Sequence, residues 1–412
     1  MNPFEIKPIN IEDGIMDWAT LYPTAYNKQT VDPYTKVRII LMNGIEVESA
    51  LFKHQFHRNC QNNDLRRELA LSRRIEQQHQ KRVNWLKPID ETPLETTIGY
   101  EHVAVDLTAW LAQNEPNPYV RQALDFALLE DFDHLYRYAN LLDMDAQIPA
   151  QNLVKSYVDI TPGRPTIAEH RFAYDSVRSP VDFKTADIRT KLNTLIITSA
   201  EQQTMNFYMN IGNNYYNDLG RKLYQEIAMI EEQHVSHYGS LMDPRCTWLE
   251  NLLLHEYMEC YLYYSFYQDE LDENVKSIWG MHLDHEIAHL HKAAALLMQY
   301  ESKDWQQVIP GGAFPKLLQF HDTRDYVRQI LGQQILLTAN REQYIPVSGL
   351  PQNHEFFFYQ DRMNHDVNAV ASHVVVARHQ EKYGVDYRAE SQTNPVQELT
   401  DRTADNTQIA RR

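Results

Sequence analysis

One short motif occurs twice in this chain, as IEQQH at 75–79 and as IEEQH at 230–234, an offset of 230 − 75 = 155 residues. Each copy sets a Glu three residues before a His, so both side chains share one face of a helix. The same shift carries Glu46 onto Glu201, Glu101 onto Glu256, Asp131 onto Glu286 and His134 onto His289. The later copy thus offers Glu201, then Glu231 with His234, then Glu256 and Glu259 one turn apart, then Glu286 with His289. The earlier copy offers Glu46, Glu76 with His79, Glu101, and Asp131 with His134. Lone-carboxylate helices alternating with Glu-x-x-His helices are the pattern that holds two metal ions in the core of a four-helix bundle. About four carboxylates neutralise two dications and can bridge them, and each ion takes one imidazole. Positions stay open for dioxygen or peroxide. Mixed oxygen and nitrogen ligation of that kind suits iron or manganese better than zinc. The expected cofactor is two Fe per site, with Mn or a mixed Fe/Mn pair as the other option. An isolated Glu-x-x-His is ordinarily a solvated helix face; one offset shared by four helices argues against that here.

These residues need helices to carry them. Between proline clusters run long stretches with helical periodicity and almost no Gly or Pro. They predict helices over about 35–58, 64–87, 97–113 and 118–143, then about 185–212, 214–241, 246–269 and 272–300. The repeat predicts an all-α fold: two tandem four-helix bundles, residues 1–145 and 185–302, joined by a linker at 146–184. A helical C-terminal extension follows from 303, with HDTRDYVRQILGQQILL and the region of HEFFFYQDRM read as helices. The polar end from about 388 is expected to be disordered.

The segments AEQQTMNFYMNIGNNYY, LYQEIAMIEEQHVSHYGSL, LLLHEYMECYLYY and MHLDHEIAHLHKAAALL resemble the ferritin-like superfamily, specifically its rubrerythrin-like diiron branch. The pair Glu256 and Glu259 is the most rubrerythrin-like feature. The likeness covers about 115 residues strongly and the earlier copy more weakly. It implies a diiron carboxylate protein of tandem ferritin-like bundles, oxidised by dioxygen or hydrogen peroxide. In it Glu231 or Glu286 would bridge the metals, His234 and His289 would each bind one, and Glu201, Glu256 and Glu259 would complete the shell. Rubrerythrins proper also carry a cysteine-ligated iron. This chain has only Cys60, Cys246 and Cys260, with no Cys-x-x-Cys pair, so the electron donor is expected to be a separate molecule. The earlier copy has Ala104 in place of Glu259 and the shorter Asp131 in place of Glu286, so it is expected to bind metal more weakly. Glu130 would substitute for Asp131 only with a helix rotation.

Composition narrows the alternatives. Against 39 basic residues stand 56 acidic ones, a net charge of −17, which disfavours nucleic acid and anionic membrane as partners. No apolar run is long enough to span a bilayer and no signal peptide is evident, so a cytoplasmic monomer or homodimer is expected. The leading expectation is a non-haem dinuclear oxidoreductase. Ferroxidase-type iron sequestration or a structural metal bundle is the second, and a diiron oxygenase, including N-oxygenase, the third. Glu48, Glu226 and Glu232 read as exposed acids. His54, His57, His237, His255, His282, His285 and His291 read as surface residues or neighbours of the ligands. Cys260 reads as a buried apolar residue, and Tyr208 and Tyr257 are the tyrosines nearest ligand turns.

Overall fold

The long helices start where a side chain can satisfy their free amides. In the computed structural model, which describes residues 1–384 with residues 394, 396 and 399, they are α1 (Pro33–Asn59), α2 (Asn63–Asn84), α3 (Pro93–Asn114), α4 (Pro118–Ala146), α5 (Ile188–Gly212), α6 (Asp218–Gly239), α7 (Trp248–Asp269) and α8 (Glu273–Glu301). Asp32 caps α1, Asn62 caps α2, Thr92 and Glu95 form a reciprocal capping box on α3, and Asn117 caps α4. The later copy repeats the scheme with Asn217 on α6, the Thr247–Glu250 box on α7 and Asp272 on α8. Asn217, Thr247 and Asp272 follow Asn62, Thr92 and Asn117 by the same 155 residues (217 − 62) as the acids and histidines. The left-handed residues that end α4 and α8, Gln147 (φ 57°) and Ser302 (φ 52°), keep the offset too. A cap contributes about 1 kcal/mol, so the duplication preserves helix boundaries as well as chemistry.

The chain is mostly helical and divides into two compact units, but not where the repeat predicts. Unit 1 is Met1–Glu91, Pro180–Gln203 and Met242–Phe320, and unit 2 is Thr92–Ser179, Thr204–Leu241 and the chain from His321. Unit 1 therefore contains the hairpins α1–α2 and α7–α8. Unit 2 contains the hairpin α3–α4 and helix α6, and α5 is shared out between the units. The compact units thus cross the boundaries of the expected bundles 1–145 and 185–302. Each unit instead combines a hairpin from one copy with helices from the other. Because the copies carry the same caps and the same inward pattern, a hairpin can pack on the complement of either copy, as in a domain swap.

The linker and the extension also fall differently. Residues 146–179 belong to unit 2 and bury Arg164, Glu169 and Arg171. Gly163 lies so close to α4 that an added Cβ would stand 2.5 Å from the Leu129 carbonyl oxygen, so this approach requires glycine. Residues 303–320 belong to unit 1. In unit 2 the chain continues as α9 (Arg324–Gln334), an antiparallel hairpin of β1 (Leu337–Asn340) and β2 (Gln343–Pro346), α10 (Glu355–Met363) and α11 (Ala371–Tyr383). The single helix expected over HDTRDYVRQILGQQILL gives way to β1 at its end. Ala339 and Tyr344 pack on Phe126, and Val347, Leu350 and Phe356 pack on Ile167 and Ala168. Most of the end expected to be disordered lies outside the described residues.

Candidate metal centres

In unit 2, α4 presents Asp131 and His134, α6 presents Glu231 and His234, and α3 presents Glu101, all fully buried. Both rings turn Nδ1 toward Glu231. His134 Nδ1 is 3.0 Å from its Oε1, and His234 Nδ1 is 3.2 Å from its Oε2 and 3.2 Å from Asp131 Oδ1. The ligand atoms of Glu101, His134 and Glu231 lie within 4.8 Å of one another, and so do those of Asp131, Glu231 and His234. Glu231 belongs to both groups, where a bridging carboxylate would stand.

The far nitrogens are anchored. His134 Nε2 is 2.8 Å from Glu169 Oε2, and His234 Nε2 is 2.8 Å from Glu130 Oε2. Glu130 is itself held by Arg164 Nη1 at 2.7 Å and by Arg171. A carboxylate on the far nitrogen fixes the tautomer and leaves the near nitrogen's lone pair facing inward. A bare Nδ1 facing a carboxylate at 3.0 Å is repulsive, so a proton or a cation must stand between them. Neither oxygen of Asp131 hydrogen-bonds a described residue. Tyr208, on α5, donates to Glu101 Oε1 at 2.5 Å. Glu201 is buried on the same helix, seven residues before Tyr208 and so on the same face.

In unit 1, α1 presents Glu46, α2 Glu76 and His79, α7 Glu256 and Glu259, and α8 Glu286 and His289, all buried. Glu286 spans the two rings, with Oε1 2.8 Å from His79 Nδ1 and Oε2 3.0 Å from His289 Nδ1. His79 Nε2 meets His285 Nδ1 at 2.9 Å, whereas His289 Nε2 bonds no described residue. Tyr263 donates to Glu46 Oε1, so its oxygen accepts from His282 Nδ1 at 3.0 Å, which leaves His282 Nε2 as a bare acceptor. Two groups with ligand atoms within 4.8 Å result: Glu46, His79 and His282, and Glu76, Glu256, Glu286 and His289. Neither oxygen of Glu259 hydrogen-bonds a described residue. Lys53, fully buried on α1, ion-pairs with Glu76 and stands 2.7 Å from Glu256 Oε1.

Burial raises the carboxyls of Glu101 and Glu259 well above the usual range, and neighbouring carboxylates push the same way. Burial opposes ionisation of Glu286 as well, but His289 and His79 outweigh it and hold its carboxyl well down. Burial likewise lifts Glu48 to about 7 and Glu169 to about 8. For His79, burial disfavours the charged ring, but Glu46 and Glu286 override it and raise it to about 9. A carboxyl raised on folding loses stability as pH climbs from its unfolded to its folded value, and a raised histidine does the same from 6.5 to about 9. The metal-stripped chain is therefore expected to melt at progressively lower temperature between pH 6.5 and 8.5. The rise in melting temperature on adding Fe(II) or Mn(II) grows over the same window, since ligands must be deprotonated. Thermal melts with and without chelator check this; a stripped chain that gained stability with pH would contradict it.

All thirteen residues singled out from spacing are buried, but not as the two sets the repeat implies. Glu231 and Glu286, the two expected bridges of one site, lie in different units, as do His234 and His289. The residues expected to form the weaker N-terminal set are divided between the units: Asp131 and Ala104 belong to the unit of Glu231 and His234, and Glu46, Glu76 and His79 to that of Glu259. His237, His255, His282 and His285 are buried, with His282 and His285 beside His79 as neighbours of the candidate ligands; Glu226 accepts from the Ser372 hydroxyl at 2.7 Å, and Glu232 is exposed as expected. Spacing missed Lys53, Glu169 and Tyr263, and it offered Glu130 only as a stand-in for Asp131 and His282 only as a neighbour. Lys53 and Glu46 are seven apart, a signal that was present; Glu169 sits in the linker, where no periodicity points to it. No helix among the described residues is long and apolar enough to cross a membrane. Compared with models of known protein families, with curated proteins and with solved structures, the chain matches none.

Proposed function

We propose that the chain is a non-haem metal-dependent oxidoreductase of the diiron carboxylate kind, with unit 2 as its dinuclear centre. The resemblance to rubrerythrin-like ferritin-fold proteins is part of that reading. The observation that carries it is the pair His134 and His234, each with Nδ1 on the shared Glu231 and Nε2 tied to a buried carboxylate. Glu101, Asp131, Glu231, His134 and His234 would hold the ions, and two redox-active divalent metals would supply electrons and Lewis acidity toward dioxygen or hydrogen peroxide. The protein's share is to hold these groups dry and fixed. The anchors Glu130 and Glu169 orient the rings, and Tyr208 keeps its proton on Glu101. An external donor would restore the reduced state.

A cavity of about 530 Å³ in unit 2 favours a second reading, oxygenation of a small organic substrate. Tyr208, Met209, Ala228 and Met229 line it together with Arg221 and Lys222. Its apolar wall reaches the tyrosine that touches Glu101.

The test is anaerobic. Fe(II)-loaded protein is expected to be oxidised by stoichiometric peroxide and to cycle again after a chemical reductant, and Glu231→Ala with His234→Ala should abolish both cycling and metal retention in unit 2. Accumulation of tens of irons per chain without cycling would make sequestration the better account. Unchanged metal content in the double variant would sink the assignment.

A further inference from the structure

The two centres differ most at one pair of positions related by the repeat. Lys53 and Tyr208 are 155 residues apart (208 − 53), as are their partners Glu101 and Glu256. In unit 2 a neutral hydroxyl donates to Glu101; in unit 1 a fully buried ammonium stands on Glu256 and Glu76. Glu76 and Glu256 are two of the four residues that gather within 4.8 Å at one pole of unit 1, with Glu286 and His289. An ion ligated there would sit about 2 Å from those oxygens, and so within direct repulsion of the lysine Nζ. Lys53 has no exposed surface into which its head could withdraw. Its other neighbour, the Ser49 hydroxyl at 3.4 Å, is buried on the same helix.

The opposite pole is built differently. Glu46, His79 and His282 gather there within 4.8 Å, and no ammonium is bonded to any of them among the described residues. Two histidines and one carboxylate with positions left open is the donor set of mononuclear iron(II) sites. The hydrogen-bond chain from His282 Nδ1 through the Tyr263 hydroxyl to Glu46 leaves His282 Nε2 buried, bare and available.

We propose that unit 1 is a one-metal centre, in which a divalent ion occupies the Glu46, His79 and His282 pole and the ammonium of Lys53 takes the place of the second ion. The chain then holds three metals, two in unit 2 and one in unit 1. This rests on the reading of unit 2 as dinuclear. Charge sets the stoichiometry: the position that is neutral tyrosine in unit 2 is a fixed cation in unit 1, and it is bonded to carboxylates a second ion would need. Glu259, which Ala104 replaces in unit 2, stays in unit 1 as an extra carboxylate.

The experiment counts metal on the full chain, loaded anaerobically with excess Mn(II), freed of unbound ion and measured by elemental analysis together with electron paramagnetic resonance. Three ions per chain are expected, one of them with the spectrum of an isolated Mn(II) that persists in His134→Ala, His234→Ala protein. Lys53→Met, which keeps the stem and removes the charge, is expected to raise the count to four and turn the isolated signal into an exchange-coupled one. Four ions in the unaltered chain, with two coupled pairs, would overturn the proposal: Lys53 would then merely balance Glu259, and the reading of unit 2 would stand. Loss of no metal on removing His134 and His234 would instead overturn that reading. Should Lys53→Met fail to fold, the count and spectrum of the lysine-containing chain decide alone.

Discussion

Alanine at His134 and His234 together is expected to empty one metal centre and leave the other filled, whereas alanine at His234 and His79 together is expected to damage both. The first two face one carboxylate, Glu231, across a single buried group; His79 gathers with Glu46 and His282 in the other unit. Residues that share a ligand cluster act as a unit, so the second substitution at His134 and His234 costs little beyond the first. Substitutions in separate clusters add. The same logic separates His79 with His282, which share one group of ligand atoms, from His79 with His134, which share nothing. Metal content per chain and peroxide oxidation of the Fe(II) form, measured across the four double variants, give the pattern directly. If His79 and His134 proved to be the non-additive pair, the packed bodies would follow the repeat after all, and the interleaved division would be wrong.

Why the repeat reveals the buried acids and histidines but not their partners is a matter of range. Caps and helix faces are local: Thr92 with Glu95, or Glu231 with His234, declare themselves within one turn. Whether α1–α2 packs with the next hairpin or with one two hundred residues on depends on contacts the period cannot encode, because both copies present the same inward residues. The lone lysine among so many acids at Lys53 breaks that equivalence, and it does so on the ligand face seven residues after Glu46. The hairpin of β1 and β2 was hidden for another reason. Its turn places Arg341 at φ 55°, a conformation usually announced by Gly or Asn, and no glycine marks it. The anchors were hidden because Glu130 adjoins a more obvious candidate, and because Arg164 and Arg171 come from irregular chain and Glu169 from a single helical turn, Thr166–Glu169.

Those anchors carry the other large expected effect. Glu130 is fully buried and keeps its charge because Arg171, the bond from His234 and Arg164 outweigh the cost of burial, holding its carboxyl well below the usual range. Arg164 and Arg171 both lie over the Phe126 ring, so methionine at each keeps the packing while removing the charge. That double variant leaves an uncompensated buried carboxylate and is expected to lose about 3–5 kcal/mol of stability. Adding Glu130→Leu removes the orphaned charge and is expected to restore most of the loss, since a buried ionic group replaced by apolar side chains of similar volume is often neutral. Metal binding is expected not to follow. Without Glu130 the Nε2 of His234 has lost its acceptor, nothing fixes the tautomer that aims Nδ1 at Glu231, and affinity in unit 2 should fall about 10–100-fold. Chemical denaturation and metal titration of the double and triple variants separate the two roles. If affinity returned along with stability, Glu130 would be a structural partner of the arginines and not the group that orients the ring.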